Sequence, residues 1–168
     1  MFSFLIIALL SSSCLAAPMS SYSYSPSVGG GSGTSFSTEG GNGRIRGVRV
    51  WEHSNAYISG IQVRNGAIWG KVVGRVVGSA QELDLYDGET IVQVSGKYHS
   101  NYIYQIYFVT SRGRFLAAGQ PLATSFNFHP VNPKAELKLL SGRFNHAGIT
   151  SLGAHWDVIM DQNQTTYA

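Results

Sequence analysis

Three polar segments carrying a histidine recur along the chain: His53-Ser54-Asn55, His99-Ser100-Asn101 and Asn145-His146. An imidazole can ligate a metal, shuttle a proton or hydrogen-bond to a hydroxyl. Ligation needs several donors at close spacing, and no His/Asp/Glu set here has it. The single cysteine, Cys14, lies in the first, apolar segment, which leaves no thiol for catalysis, metal binding or disulfides downstream. No metal and no cofactor are therefore expected. The three histidines read as exposed loop residues, with His99 and His146 as candidates for contact with a hydroxyl-rich ligand. His155, beside Trp156 in strand-like sequence, reads as structural.

The stretch Gly29-Gly30-Gly31-Ser32-Gly33 is a second source of chemistry, because side-chain-free backbone brings N–H donors close to a ligand. It is not a nucleotide loop: Gly31-Ser32-Gly33 lacks the third glycine and a following helix, and no Gly-Lys-Ser/Thr occurs. Catalysis has no visible machinery. There is no Gly-x-Ser-x-Gly elbow, and Glu82, Asp84, Asp87 and Glu89 read as a solvated strand edge and turn rather than as paired acids facing a cleft. The chain is not expected to be an enzyme.

Twelve Lys and Arg against nine acids give a formal charge of +3. That is too sparse for a nucleic-acid binder. Arg44, Arg46 and Arg49 with Lys71 and Arg75 form a candidate patch for sulfated glycosaminoglycan, since anionic glycans are natural partners of a basic secreted protein.

These residues need elements to hold them. Phe4 to Leu10 is apolar, and small residues follow up to Ala16-Ala17 before Pro18, which predicts a signal peptide over residues 1–17 and secretion. The run is too short to span a bilayer. Residues 18–28, rich in Ser and Tyr, predict a flexible leader. Residues 29–159 predict one domain, and 160–168 a polar tail with the sequon Asn163-Gln164-Thr165 as a candidate glycosylation site. Within the domain, short runs rich in Val, Ile, Tyr and Phe alternate with turn residues such as Asn65-Gly66 and Asp87-Gly88. No helical apolar stripe occurs, so the chain is expected to be all-β. Three hairpin-like stretches repeat: Ile58, Ile103 and Ile149 each begin a second strand and are separated by 45 and 46 residues. Each isoleucine has an apolar partner three positions on, at Ile61, Ile106 and Leu152. Three sheets about a pseudo-threefold axis follow.

The glycine stretch running into Thr34-Ser35-Phe36-Ser37, the run Ile91 to Tyr98, Thr124-Ser125-Phe126-Asn127, and Ser141-Gly142-Arg143 followed by His155-Trp156-Asp157 resemble the jacalin-related lectins, in particular their animal secretory branch. The resemblance implies a β-prism I fold of three four-stranded sheets and one sugar site at the prism end. It implies three site loops: a glycine-rich loop with Gly30, Gly31 and Gly33; a recognition loop around Lys97, His99 and Tyr102; and a binding loop over His146, Gly148, Ile149 and Thr150. The family's binding loop usually reads Gly, three variable residues, then Asp. Here the glycine position falls on His146 and the aspartate position on Thr150. A neutral hydroxyl contributes about 0.5–1.5 kcal/mol where a charged acceptor contributes about 1.5–3. The resemblance thus implies a lectin of mannose or glucan type or of altered glycan preference, or a scaffold that acts through proteoglycan or a receptor instead. Storage in secretory granules goes with the same branch.

Overall fold

The computed structural model describes residues 21–38 and 43–159. The expected signal peptide, the polar tail and Asn163 lie outside the described residues. Thirteen strands are present among them and no helix. In chain order they are β1 (Tyr22–Gly29), β2 (Thr34–Ser37), β3 (Ile45–His53), β4 (Tyr57–Asn65), β5 (Ile68–Trp69), β6 (Val73–Gly74) and β7 (Gln81–Asp84), then β8 (Ile91–Tyr98), β9 (Ile103–Thr110), β10 (Phe115–Gly119), β11 (Thr124–Phe128), β12 (Glu136–Phe144) and β13 (Ile149–Asp157).

The three repeated hairpins are β3–β4, β8–β9 and β12–β13, and each is the centre of one antiparallel sheet. The first sheet runs β5/β6–β4–β3–β7, its outer edge being one strand interrupted between Trp69 and Val73. The second runs β10–β9–β8–β11. The third runs β1–β13–β12–β2, so its two outer strands come from the other end of the chain. This is the expected all-β arrangement of three four-stranded sheets about a pseudo-threefold axis.

Of the leader expected over residues 18–28, residues 22–28 instead belong to an edge strand, and 18–20 lie outside the described residues. Tyr22–Gly29 pairs with β13 from Tyr22↔Asp157 to Gly29↔Ser151. Its Ser/Tyr alternation resembles a linker because an edge strand needs little apolar sequence of its own; its order comes from the partner strand. Pro26 is accommodated where the register shifts between Ser25 and Val28, the kind of edge position that tolerates a residue without an N–H.

The three-residue spacing of apolar positions has a structural cause. Each hairpin carries a β-bulge at its tip, leaving Ser59, Tyr104 and Thr150 unpaired: Glu52 pairs with Ile58 but Trp51 with Gly60, and the other two hairpins repeat the shift. One extra residue restores the inward direction after three positions instead of two. Ile58, Ile61, Ile103, Ile106, Ile149 and Leu152 all reach the core with no solvent exposure, together with Phe108, Leu140 and Trp156. Each bulge carbonyl is then capped. The amides of Arg75, Gln120 and Gly30 donate to the carbonyls of Ser59, Tyr104 and Thr150 at 2.7, 2.8 and 2.9 Å. In each case the preceding glycine, Gly74, Gly119 or Gly29, sits at positive φ.

Candidate functional site

Those caps begin three equivalent five-residue loops: Gly74 to Gly78, Gly119 to Ala123 and Gly29 to Gly33. Their last residues, Gly78, Ala123 and Gly33, are again at positive φ. The first two loops are filled by side chains, with Val76 56% and Leu122 50% exposed. Of the three, 29–33 is nearly without side chains, so its main-chain groups can be approached directly by a ligand.

The bare loop is wedged between the other two predicted loops. A Cβ on Gly30 would lie 1.8 Å from the Ser100 carbonyl oxygen, and one on Gly33 would lie 2.2 Å from that of Phe144 and 3.2 Å from Asn145 Cα. Glycine is required at both positions by this close approach. The Thr150 hydroxyl donates to the Ser32 carbonyl at 2.5 Å, and Arg143 Nη1 donates to the Gly33 carbonyl at 3.0 Å. A planar trans peptide holds its C=O and N–H on opposite sides, so anchoring Ser32 O inward turns the Gly33 amide outward. No hydrogen bond among the described residues takes the amides of Gly31, Ser32 or Gly33. The loop is therefore a short row of fixed, open donors.

The binding loop is built on Asn145. Its Oδ1 accepts from the amides of Ala147 and Gly148 at 2.9 and 3.1 Å, and its own amide donates to the Gly148 carbonyl at 3.0 Å. Its Nδ2 donates to the Tyr102 hydroxyl at 3.2 Å, which ties the binding loop to the recognition loop. Tyr102 in turn stacks on Tyr57, with centroids 4.3 Å apart and rings inclined by 13°, and His53 stacks on the other side at 5.1 Å. Tyr57, Tyr102 and Gly148 precede the three leading isoleucines and so are equivalent by repeat. Two carry rings; at the third a Cβ would meet the Tyr57 ring at 3.0 Å.

The expected site residues separate on this geometry. Gly30, Gly31, Gly33, Tyr102 and the 146–150 loop converge at one corner. His99 and His146 are exposed on the recognition and binding loops, and His99 Nδ1 lies 3.0 Å from Ser100 Oγ. Lys97 instead crosses the second sheet to Ser125 at 2.9 Å. Ile149 is a core residue, and Thr150 is fully buried, its hydroxyl on Ser32 and its carbonyl on Gly30. Tyr57 and the Ser32 carbonyl join the site beyond the expected residues; for Tyr57 the signal in the sequence is its repeat equivalence with Tyr102. His155 is structural as expected: its Nε2 lies 2.8 Å from Ser141 Oγ and its Nδ1 bonds the Tyr22 hydroxyl.

The proposed basic patch is divided. Arg44 grips buried Glu136 with two bonds of 2.7 and 2.8 Å, and Arg46 reaches Asp87 at 3.4 Å. Arg49 is held by Glu82 at 2.6 Å and lies over the Trp69 ring at 3.8 Å. Lys71 and Arg75 are exposed and have no acidic partner among the described residues. The acidic turn also differs from expectation. Glu82, Asp84 and Asp87 are solvated, but Glu89 is buried, accepting from Thr110 Oγ1, Arg114 Nη1 and the Tyr86 amide at 2.6, 2.7 and 2.9 Å. Burial raises its carboxyl pKa, and those bonds outweigh it, holding the group below its ordinary value. No group of His and acidic residues among the described residues is placed to hold a metal.

Residues 25–155 match the Jacalin-like lectin domain. Human zymogen granule membrane protein 16 is 41% identical over 161 residues, covering 92% of this chain and 95% of that protein. The crystal structure of a prostate-specific WGA16 glycoprotein lectin superposes with a TM-score of 0.72 at 30% identity, over 82% of this chain and all of that one. Artocarpin, described as a lectin with mannose specificity, shares the fold at a TM-score of 0.68 and 19% identity, over 83% of this chain and 99% of its own. The matching family model and the superposed structures are those of lectins, and with the prism and the nearly bare loop already in place, the chain belongs to the jacalin-like lectin family.

Proposed function

We propose that the protein is a secreted lectin that binds a hydroxyl-rich sugar at the corner formed by Gly31, Ser32 and Gly33, with Tyr102, His99 and His146 at the rim. The observation that carries this reading is the row of unbonded amides on a loop clamped from both sides. Fixed donors bind a polyol without having to be ordered first. No carboxylate reaches this corner among the described residues, and Thr150 is committed to Ser32. The sugar is therefore gripped mainly by donors, through its ring and hydroxyl oxygens, and its identity differs from that read by a loop with an aspartate. Shallow sites of this kind gain from multivalent targets. Cleavage before Pro18, secretion and granule storage belong to the same proposal and rest on the apolar leader and the similarity to granule proteins.

A glycan array including mannose, glucan and sulfated chains tests the reading. Binding that is lost in Gly31→Leu, where an added side chain meets nothing within 4 Å, with the thermal transition preserved to within a few degrees, supports it; an array without signal from folded protein rules it out. A second reading, proteoglycan binding, draws on Lys71 and Arg75 as exposed cations without acidic partners. Heparin retention at physiological salt that drops in Lys71→Gln/Arg75→Gln favours it, and retention without salt dependence counts against it.

A further inference from the structure

We propose that the outward face of the β1–β13–β12–β2 sheet extends the sugar site into a trough that takes a neutral, linear oligosaccharide lengthwise, away from the glycine loop. This rests on the lectin reading and names its substrate class. Two depressions adjoin on this face and share Ser141. The upper one, about 460 Å³, begins at Gly29 and Gly31 and passes Ser35, Arg143 and Ser151. The lower one, about 420 Å³, continues past Ser37 and His155 to Tyr22, Tyr24 and Lys138.

The register explains the hollow. Ser35, Arg143 and Ser151 lie in one row across the strands, and Ser37, Ser141 and Gly153 in the next. Small outward residues make the floor, and the tyrosines close its far end. Ser151 lines the upper depression, and its hydroxyl, which bonds no described residue, faces the open trough and is available to a sugar hydroxyl. At the far end Tyr24 and Tyr22 are 47% and 45% exposed, and Tyr24 is propped on His155 at 4.6 Å. Exposed rings of fixed orientation suit the C–H faces of pyranoses. The first sheet offers no counterpart, because Trp69 lies under Arg49 and Arg64, which pair with Glu82 and Asp84.

From Arg143 to Lys138 the strand runs about 17 Å, room for several rings in line. Lys138 is paired with Asp157 at 3.1 Å, so the far end, where the tyrosines stand, carries little free charge and suits neutral rings, while Arg143 at the near end is tied to the Gly33 carbonyl and can donate to sugar hydroxyls.

The test is calorimetric titration of the whole secreted protein with linear mannose and glucose oligomers, from mono- to hexasaccharide. One series is expected to gain about tenfold or more in affinity between the di- and tetrasaccharide. Tyr24→Ala should abolish that gain while leaving monosaccharide affinity unchanged, and Tyr24→Phe should retain it. Equal affinity for the monosaccharide and all longer chains in the unmodified protein overturns the trough and leaves the lectin reading standing. A gain that survives in folded Tyr24→Ala also overturns it. Absence of binding across both series overturns both readings.

Discussion

At Thr150 a hydroxyl that a ligand could have used is committed to the protein. It donates to Ser32, and the Thr150 carbonyl accepts from Gly30, so one residue fixes two points of the loop. Thr150→Val keeps the shape and removes the donor. It is expected to cost about 1 kcal/mol in thermal or denaturant unfolding and to weaken sugar binding by more than that loss of stability explains, because the amide row loses its anchor. Gly148 fails differently. Even a methyl there meets the Tyr57 ring at 3.0 Å and the Ile58 carbonyl at 2.6 Å. Gly148→Ala should therefore destabilise the fold by about 1–3 kcal/mol, and Tyr57→Ala should relieve only part of that, since the carbonyl remains.

Between β7 and β10 the structure depends on one buried acid. Glu89 joins the turn before β8 to the β9–β10 turn through Thr110, Arg114 and the Tyr86 amide. Its carboxyl ionises below the ordinary value, so the folded state holds the proton less tightly than the unfolded chain. The stabilisation is complete above the unfolded value of about 4.3 and is lost as pH falls through the lower folded value. Acid unfolding followed by tryptophan fluorescence should show this, and Glu89→Gln should flatten the pH dependence while costing about 1–3 kcal/mol at neutral pH. Composition gave no sign of this burial, because Glu89 sits among three solvated acids and its side-chain partners, Thr110 and Arg114, lie on another turn. What could be read in advance was periodic. The spacing of Ile58, Ile103 and Ile149 announced three hairpins, and the residues around them the family. The bulges were visible only as an apolar pair three apart, and the burial of Thr150 follows from one of them. Ser32 and Tyr57 escaped because their roles depend on which loops of different repeats meet, a matter of closure rather than of local sequence.

The whole molecule is closed by its own beginning. β1 and β2 complete the sheet whose centre is the last hairpin, and the indole of Trp156 donates to Ser25 at 3.0 Å across that seam. Removing residues 18–29 should therefore not yield a trimmed lectin. It strips the edge from β13 and leaves a buried indole N–H without its acceptor, and the expected outcome is loss of the cooperative thermal transition and of soluble yield, read by circular dichroism and sedimentation. The same seam has a consequence in time. A polypeptide is made from its amino end, so β1 and β2 are available long before the hairpin they must embrace exists. The first two sheets can assemble before β12 and β13 have been made, and the third sheet is completed last. The serine-rich, nearly uncharged first strand suits that delay, since it can stay extended in water without attracting other chains until its partner arrives.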